Sequence, residues 1–349
     1  MKRFFIALVV SWGLIPRSLT PRSLTPNPSP RGEGSICQRA LDINTQEKSQ
    51  AKNQAPKVAS SVLLFTGDIL LDRGVRQYIN KKGVDALFTR GIDSLLCSAQ
   101  VVVGNLECPA TRIKAPVQKR YIFRAEPEWL GVLRRHGFTH LNLANNHSID
   151  QGRHGLADTW QNIKKAGMVP FGAGRNMAEA ARPVLLCSVP RKVWLVPSLR
   201  LALENYAYLP ERPSVSQEPM ARLLQRVHEL KSNDPACVVL VSLHWGGEHT
   251  MKPVPLQRLE AHRLVDAGAD ALVCHHTHTL QTVEDYRGRK IYYSIGNFIF
   301  DQHQPKNTRA CVVKMTIKKE KIETRTIFIE SGPAPRIAKT ADAPATTGQ

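Results

Sequence analysis

The chain has 349 residues, of which 42% are hydrophobic, enough to bury the core of one large domain or two small ones. Its formal net charge of +19 favours anionic partners such as nucleic acid, phospholipid headgroups or an acidic polymer. Since no nucleic-acid motif and no basic stripe interleaved with aromatic residues stands out, nucleic acid is not an expected partner.

The N-terminus has the pattern of an export signal, because Met1-Lys2-Arg3 precedes the apolar run from Phe4 to Ile15. That run is too short for a comfortable transmembrane helix, and no clear small-x-small cleavage site follows it. The sequence therefore predicts export or envelope association without deciding between signal cleavage and anchoring. A buried or disordered N-terminal stretch is the alternative.

Composition divides the rest of the chain. Residues 16–34 repeat the pentapeptide PRSLT and are rich in Pro, Ser and Gly, which is typical of a linker. We expect an export signal or anchor plus a disordered Pro-rich linker over residues 1–59, one folded domain over 60–330, and a disordered tail over 331–349.

Short apolar runs within residues 60–330 alternate with helical patterns. Each run is bounded by Gly, Asn or Asp, as buried strands are; the runs are 62–65, 101–103, 141–143, 238–243, 271–273 and 291–294. Three helices are predicted between them, each followed by glycine, over 127–136, 155–166 and 255–267. This alternation predicts an α/β fold in which helices flank a sheet.

A compact polar cluster follows each predicted strand. In chain order the clusters are Gly67-Asp68, Gly104-Asn105-Leu106-Glu107, Asn145-Asn146-His147, His244-Trp245-Gly246, His275-His276-Thr277-His278 and Gly296-Asn297-Phe298. Ligands bind outside the carboxyl ends of strands in open α/β sheets, so we expect these residues to converge. Imidazole with carboxylate and amide oxygens suits a divalent metal: Zn, Mn, Fe or Mg.

Each cluster taken alone has a plainer interpretation. Asp68 is placed where a helix cap would be, Asn146-His147 is also typical of a turn, and an isolated residue such as His244 is more often an ordinary histidine. His276 and His278 are stronger candidates, since residues two apart in an extended segment point to one side. The cysteines beside the clusters, Cys108 and Cys274, are expected to be buried small residues rather than reactive thiols.

The clusters and their flanks resemble the CapA family, which is associated with poly-γ-glutamate capsule synthesis. The resemblance runs through LLFTGDILLDRGV, VVVGNLECPAT, LNLANNHSIDQG, LVSLHWGGEHT, GADALVCHHTHTLQ and YYSIGNFIFDQ, from about Val62 to Asp301. It implies a metallo-dependent phosphatase-like fold, with two β-sheets sandwiched between helices.

The resemblance also implies a metal-ligand set. It consists of Asp68, Asn105, Glu107, Asn146, His244, His276 and His278, with Asn105 at the position of the usual bridging aspartate and Glu107 the nearby carboxylate that can replace it. Two departures stand out: Leu70 occupies the position of a ligand histidine, and Asn105 replaces a carboxylate. Whether the centre holds one metal or two is therefore open.

Catalytic roles follow from the same pattern. His147 matches the histidine that assists the leaving group, and Asp150 either orients it or caps the next helix. Glu248 is a candidate acid or base, with a solvated loop carboxylate as the alternative. Asn297 and Phe298 are expected to shape the pocket floor.

The resulting hypothesis is an exported or envelope-associated protein that helps to make, release or retain an anionic polymer such as poly-γ-glutamate, through a metal-dependent hydrolytic site. A polymer-binding or assembly module with a degenerate site and a plain phosphoesterase are the alternatives. The positive charge also suits a membrane surface, and capsule assembly proteins are further candidate partners.

Overall fold

In a computed structural model, the described part of the chain comprises residues 60–203 and 207–339. The predicted export signal and linker lie outside these residues. The strands are β1 (Ser60–Ile69), β2 (Val101–Leu106), β3 (His140–Asn142), β4 (Val169–Phe171), β5 (Ala173–Gly174), β6 (Val184–Cys187), β7 (Val193–Leu199), β8 (Ser214–Val215), β9 (Val238–His244), β10 (Ala271–His275), β11 (Val283–Tyr286), β12 (Arg289–Tyr292), β13 (Asn297–Ile299), β14 (Arg309–Lys318), β15 (Ile322–Glu330) and β16 (Arg336–Ile337).

The three predicted helices are confirmed, and the structure contains further helices. They are α1 (Arg73–Lys82), α2 (Arg90–Cys97), α3 (Trp129–Arg135), α4 (Gly152–Lys165), α5 (Met177–Ala180), α6 (Met220–Asn233), α7 (Pro255–Asp266) and α8 (Pro305–Thr308), with a 3-10 turn at Val84–Leu87. The predicted helices correspond to α3, α4 and α7. Within the described residues, no helix combines the length and apolar character needed to span a bilayer.

Two sheets carry the fold. The first has eight strands in the order β16-β15-β14-β1-β2-β3-β4, with β13 paired to β1 beyond this path. The second has six strands in the order β11-β12-β10-β9-β7-β6. Strands β1, β2, β3 and β4 pair in parallel, as do β7, β9 and β10, so in each sheet the carboxyl ends of neighbouring strands lie at one edge.

The apolar side chains form three buried groups that define four layers. Leu63 of β1 and Leu240 of β9 belong to one group, which lies between the sheets. Leu64 packs with residues of α1 to α4 on the outer face of the first sheet, whereas Val239 packs with residues of α6 and α7 on the outer face of the second. Adjacent residues enter opposite cores because strand side chains alternate. The predicted α/β sandwich of two sheets between helices is confirmed.

The C-terminal boundary differs from the prediction. Strand β16 lies within the stretch that composition assigned to the tail, and it pairs antiparallel with β15 through Ile329 and Ile337. Thr89 adds a hydroxyl hydrogen bond of 2.9 Å to the carbonyl of Pro335. A two-residue strand is held by backbone pairing and has no compositional signature. It was therefore not predicted within a stretch rich in Pro and Ala. Residues 340–349 lie outside the described part.

Candidate metal centre

Strand register brings the polar residues of the first sheet together. Pairing of β1 with β2 shifts between Phe65 and Asp68, and it aligns Asp68 with Asn105. On the other side of β1, Gly67 permits the close approach of the segment that leads into β13, because a Cβ at Gly67 would lie 2.0 Å from the carbonyl oxygen of Gly296. Asp68 and Asn105 therefore stand inside the ends of their strands, where the sequence placed them just beyond.

The second sheet supplies the histidines. His244 ends β9 and aligns with His275, which ends β10. His275 turns to the backbone, with Nε2 3.1 Å from the carbonyl oxygen of Thr66 in β1, and so helps to join the sheets. The next residues, His276 and His278, enter the cluster instead.

Glu107 lies at the centre of the cluster. It follows β2 directly, its carboxylate is fully buried, and neither carboxylate oxygen has a hydrogen-bond partner in the described chain. Burial, followed by the nearby charge of Asp68, raises the pKa of Glu107 well above its usual value. Buried polar groups are nearly always hydrogen-bonded, so the surroundings of this unsatisfied carboxylate fit a bound cation.

Two groups of candidate ligands share this carboxylate. One group consists of Glu107, His244 and His276, and the other of Glu107, Asp68 and His278. Within each group, the candidate ligand atoms lie within 4.8 Å of one another. Oε1 of Glu107 is 3.7 Å from Nε2 of His244 and 3.8 Å from Nε2 of His278. Glu107 is the residue common to both groups, so it would be a ligand in either of them.

The backbone at His276 and His278 is strained. Their φ angles are +98° and +55°, in the left-handed region that non-glycine residues rarely adopt. This conformation places Nδ1 of His276 3.1 Å from Nε2 of His244. Strain of this kind persists at sites where function requires an exact side-chain direction.

The electrostatics favour a bound cation. Burial and neighbouring histidines lower the pKa of His244, and they lower that of His276 to about 3, so both imidazoles keep lone pairs for a metal. Burial also disfavours charge on His278, but the carboxylates of Glu107 and Asp68 outweigh it and raise its pKa to about 9. A metal that binds here displaces that proton.

Two asparagines in the predicted ligand set have different positions. Oδ1 of Asn146 lies 2.8 Å from Nε2 of His244, at the edge of the Glu107–His244–His276 group. Oδ1 of Asn105, in contrast, accepts from the side chains of Asn142 and Asn145, and its Nδ2 donates to Asp68 at 2.8 Å. Because its oxygen is occupied, Asn105 does not fit as a ligand and instead orients Asp68.

The two residues predicted to shape the pocket floor, Asn297 and Phe298, lie in different surroundings. Oδ1 of Asn297 accepts from Nδ1 of His278 at 2.9 Å, which leaves Nε2 directed toward Glu107. Asn297 therefore orients a candidate ligand. Phe298 does not line a pocket: it is 1% exposed and packs edge-on against Phe138 in the apolar core, because neighbouring strand residues face opposite ways.

His147 is held by a buried charged pair. Its Nδ1 lies 2.9 Å from Oδ2 of Asp150, and Nζ of Lys119 lies 2.9 Å from Oδ1 of the same carboxylate. Lys119 also donates to the backbone carbonyl of Asn146 at 3.0 Å, and its side chain is only 4% exposed. Burial lowers the pKa of His147, and Asp150 opposes that shift.

Asp150 is thus placed to orient His147 and does not cap α4, whose N-cap residue, Gln151, makes no side-chain capping bond. Lys119 was not among the residues predicted from sequence. A lysine in a loop, between Gln118 and Arg120, carries no local signal, and only tertiary contact reveals its burial.

Glu248 is not part of the cluster. Its side chain is 46% exposed and lies 4.0 Å from His249. This matches the solvated loop carboxylate, because the chain runs to the surface after β9 and is exposed at Gly247 and Glu248. Cys108 and Cys274 are fully buried free thiols whose pKa values burial raises, as expected of small core residues.

Leu70 stands where the resemblance places a histidine, and it is fully buried in the core around α1 to α4. The Asp68 group consequently has three protein ligands, whereas Asn146 offers the other group a fourth. The donor set fits divalent metal ions: oxygen and imidazole ligands, an unsatisfied carboxylate and two strained histidines.

A two-sheet α/β domain with a buried histidine and carboxylate centre is the class of protein that this architecture defines. The family described as bacterial capsule synthesis protein PGA_cap matches residues 62–302. The chain belongs to this family, and the resemblance to CapA proteins is confirmed.

Two of the relatives similar to this chain are named CapA. The chain is 32% identical to the PGA biosynthesis protein CapA of Bacillus subtilis over 81% of this chain and 77% of that protein. It is 33% identical to the capsule biosynthesis protein CapA of Bacillus anthracis over 73% of this chain, spanning 64% of that protein's length. Among solved structures, a hypothetical protein from Thermus thermophilus is 17% identical, with a TM-score of 0.46, over 76% of this chain and 99% of that one.

Proposed function

We propose that this protein is a metal-dependent hydrolase that acts on an anionic polymer in poly-γ-glutamate capsule synthesis. The observation that carries the proposal is the buried carboxylate of Glu107, which has no hydrogen-bond partner among the described residues and is shared by two groups of candidate ligands. A centre of this kind is costly unless a cation completes it, and the cation gives it a chemical use.

Two sets of residues would hold the metal. Glu107, His244 and His276, with the amide oxygen of Asn146, form one set; Asp68, Glu107 and His278 form the other. A divalent ion bound there would supply Lewis-acid activation of water and polarisation of the bond under attack. Asn105 and Asn297 would keep Asp68 and His278 in position.

His147 is the residue that we assign to proton transfer. Since its Nδ1 is taken by Asp150, exchange of a proton with the substrate falls to Nε2. Lys119 neutralises Asp150, so the pair can be buried without a net charge, and the same amine fixes the backbone beside Asn146. The ring of Phe123 packs 4.3 Å from that of His147 and holds its plane.

The substrate class is supported by charge and by relatives. A net charge of +19 favours a polyanion, and two relatives are named for PGA or capsule biosynthesis. We further propose that the protein is exported or envelope-associated, on the basis of its charged start and short apolar run. A membrane surface and capsule assembly proteins are additional proposed partners.

One observation favours a second function. Leu70 removes a histidine that the family resemblance leads one to expect, so the Asp68 group offers only three protein ligands. A centre with one group of three candidate ligands would suit a polymer-binding or assembly module as well as an enzyme.

Turnover assays separate these functions. We expect purified protein to contain a divalent metal and to cleave poly-γ-glutamate when Mn, Zn or Mg is supplied. The substitution His147→Asn should lower turnover by about 10² to 10⁴ fold, because it removes proton transfer, while metal content stays unchanged. His154→Asn, at an exposed histidine on α4, is the matched control and should leave turnover intact.

Other outcomes point elsewhere. Tight polymer binding without turnover would replace the hydrolase by a binding module. Cleavage of phosphoesters alone would identify a phosphoesterase.

A further inference from the structure

Arg73 is the feature near the centre that the proposed chemistry does not use. It begins α1, and its φ of +52° places it in the left-handed region that an arginine rarely adopts. Its side chain is 35% exposed. A strained, partly exposed cation beside a candidate catalytic centre calls for a functional explanation.

The guanidinium of Arg73 is held on three sides. Nε donates to Oδ2 of Asp301 at 3.0 Å, and Nη2 donates to Oδ1 of the same carboxylate. The Cζ atom lies 5.2 Å from the ring centroid of Phe123 and 5.6 Å from that of Phe300, both within cation–π range. The side chain is therefore fixed before any ligand arrives.

Both rings connect Arg73 to the centre. Phe123 packs on His147, the proposed proton-transfer residue, and Phe300 packs on His278 with ring centroids 4.8 Å apart. Arg73 is thus one aromatic ring away from each side of the reacting region.

The donors left on Arg73 set the ligand chemistry. A guanidinium has five N–H groups, and Asp301 takes one from Nε and one from Nη2. No acceptor in the described chain binds Nη1, so that edge remains available. It suits a carboxylate, and poly-γ-glutamate carries a free carboxylate on every residue.

We propose that Arg73 is a specificity-determining residue that binds a carboxylate of the polymer next to the bond being cleaved. This inference rests on the proposed function for its substrate. The fixed rotamer reduces the entropy lost on binding, which is the advantage of holding the arginine between two rings and a carboxylate.

Equilibrium binding tests the proposal independently of turnover. The probes are a γ-glutamate oligomer of defined length and its fully amidated counterpart. We expect Arg73→Gln to weaken binding of the acidic oligomer by roughly 10 to 100 fold, the range for a hydrogen bond to a charged group, with metal content unchanged. The wild-type preference for the acidic over the amidated oligomer should shrink by the same factor.

Two controls separate binding from structure. Arg112→Gln alters an exposed arginine that pairs with Glu128 and should change nothing. Asp301→Asn removes the charge of the pair but keeps Arg73 and a side-chain oxygen that can hold it, so affinity for the acidic oligomer should stay within about threefold. If Arg73 only joins α1 to the segment after β13, both Arg73→Gln and Asp301→Asn will lower stability equally and leave the oligomer preference unchanged, which would overturn the proposal.

The two proposals can fail separately. Binding that depends on Arg73 without any turnover would support the carboxylate site and contradict the hydrolase. Turnover with unchanged KM in Arg73→Gln would do the reverse, and a wild-type protein that binds no oligomer would contradict the carboxylate site.

Discussion

Asp270 and Glu107 are both buried carboxylates beside strands of the two sheets, yet their surroundings differ. Asp270 accepts from Lys231 at 2.6 Å and from the backbone N–H of Val239 at 2.9 Å, and it pairs with Arg289 at 2.9 Å. Glu107 has no hydrogen-bond partner in the described chain. One carboxylate is completed by the chain itself, and the other is left for a ligand.

This difference separates a structural charge from a functional one. Burial of a charge is tolerated when hydrogen bonds and counter-ions compensate for lost hydration, which is the case for Asp270. At Glu107 no hydrogen bond from the described chain supplies this compensation, although the imidazoles of three histidines lie close to its carboxylate. Burial alone therefore does not identify a site, whereas burial without partners does.

The largest expected effect is loss of stability at the completed carboxylate. Asp270→Asn leaves Lys231 and Arg289 without their counter-ion, so the free energy of unfolding should fall by about 3 kcal/mol. Urea unfolding measures the change. Metal content should remain that of the wild type. The exposed pair of Lys192 with Asp234 offers a control, since Asp234→Asn should cost less than about 1 kcal/mol.

Loss of metal from the Asp270→Asn protein under native conditions would contradict the comparison, because it would make that carboxylate part of the centre.

The second prediction concerns Glu107, where removal of the carboxylate should not lower the stability of the metal-free protein. Glu107→Gln replaces a buried carboxyl group that has no hydrogen-bond partner in the described chain, so the metal-free protein should be at least as stable as the wild type. Saturating metal should raise the stability of the wild type by about 3 kcal/mol at 100 times Kd, and most of this gain should disappear in the variant. Thermal unfolding with and without Mn or Zn measures both.

A metal-free Glu107→Gln protein that melts well below the metal-free wild type would show that Glu107 is a structural residue like Asp270.

The smallest effect concerns the support of His278. Asn297→Ala removes the acceptor of its Nδ1 proton, so affinity for the metal at the Asp68 group should fall by about 10 to 100 fold. Metal titration by calorimetry should show this loss for one of two binding events. An equal loss in both would mean that Asn297 supports the whole centre, and no loss would remove it from the site.

Much of the fold was readable because its signals are local. Buried parallel strands appear as short apolar runs, helices end at glycine, and a polar cluster after a run marks a strand end. These patterns predicted the α/β class, the helices α3, α4 and α7, and the set of strand ends from which the centre is built.

These local patterns could not show which of the candidate residues are placed to bind a metal. Asn105 and Glu107 are two residues apart, and only the hydrogen bonds from Asn142 and Asn145 show that Asn105 has no oxygen to offer a metal. Lys119 is buried by contacts with a segment about thirty residues away. The residues next to it in the sequence give no indication of this burial. Phe298 sits beside Asn297 but faces the core, because both lie in a short strand whose successive side chains point to opposite faces.

By itself, the sequence determined which residue types stand at the strand ends, and thus the chemistry available to this protein. Only the tertiary structure decided which of them meet, since strand register, left-handed backbone at His276 and His278, and burial of Glu107 arise from packing between two sheets. Local sequence sets propensities, whereas distances between side chains far apart in the chain are fixed by the fold as a whole.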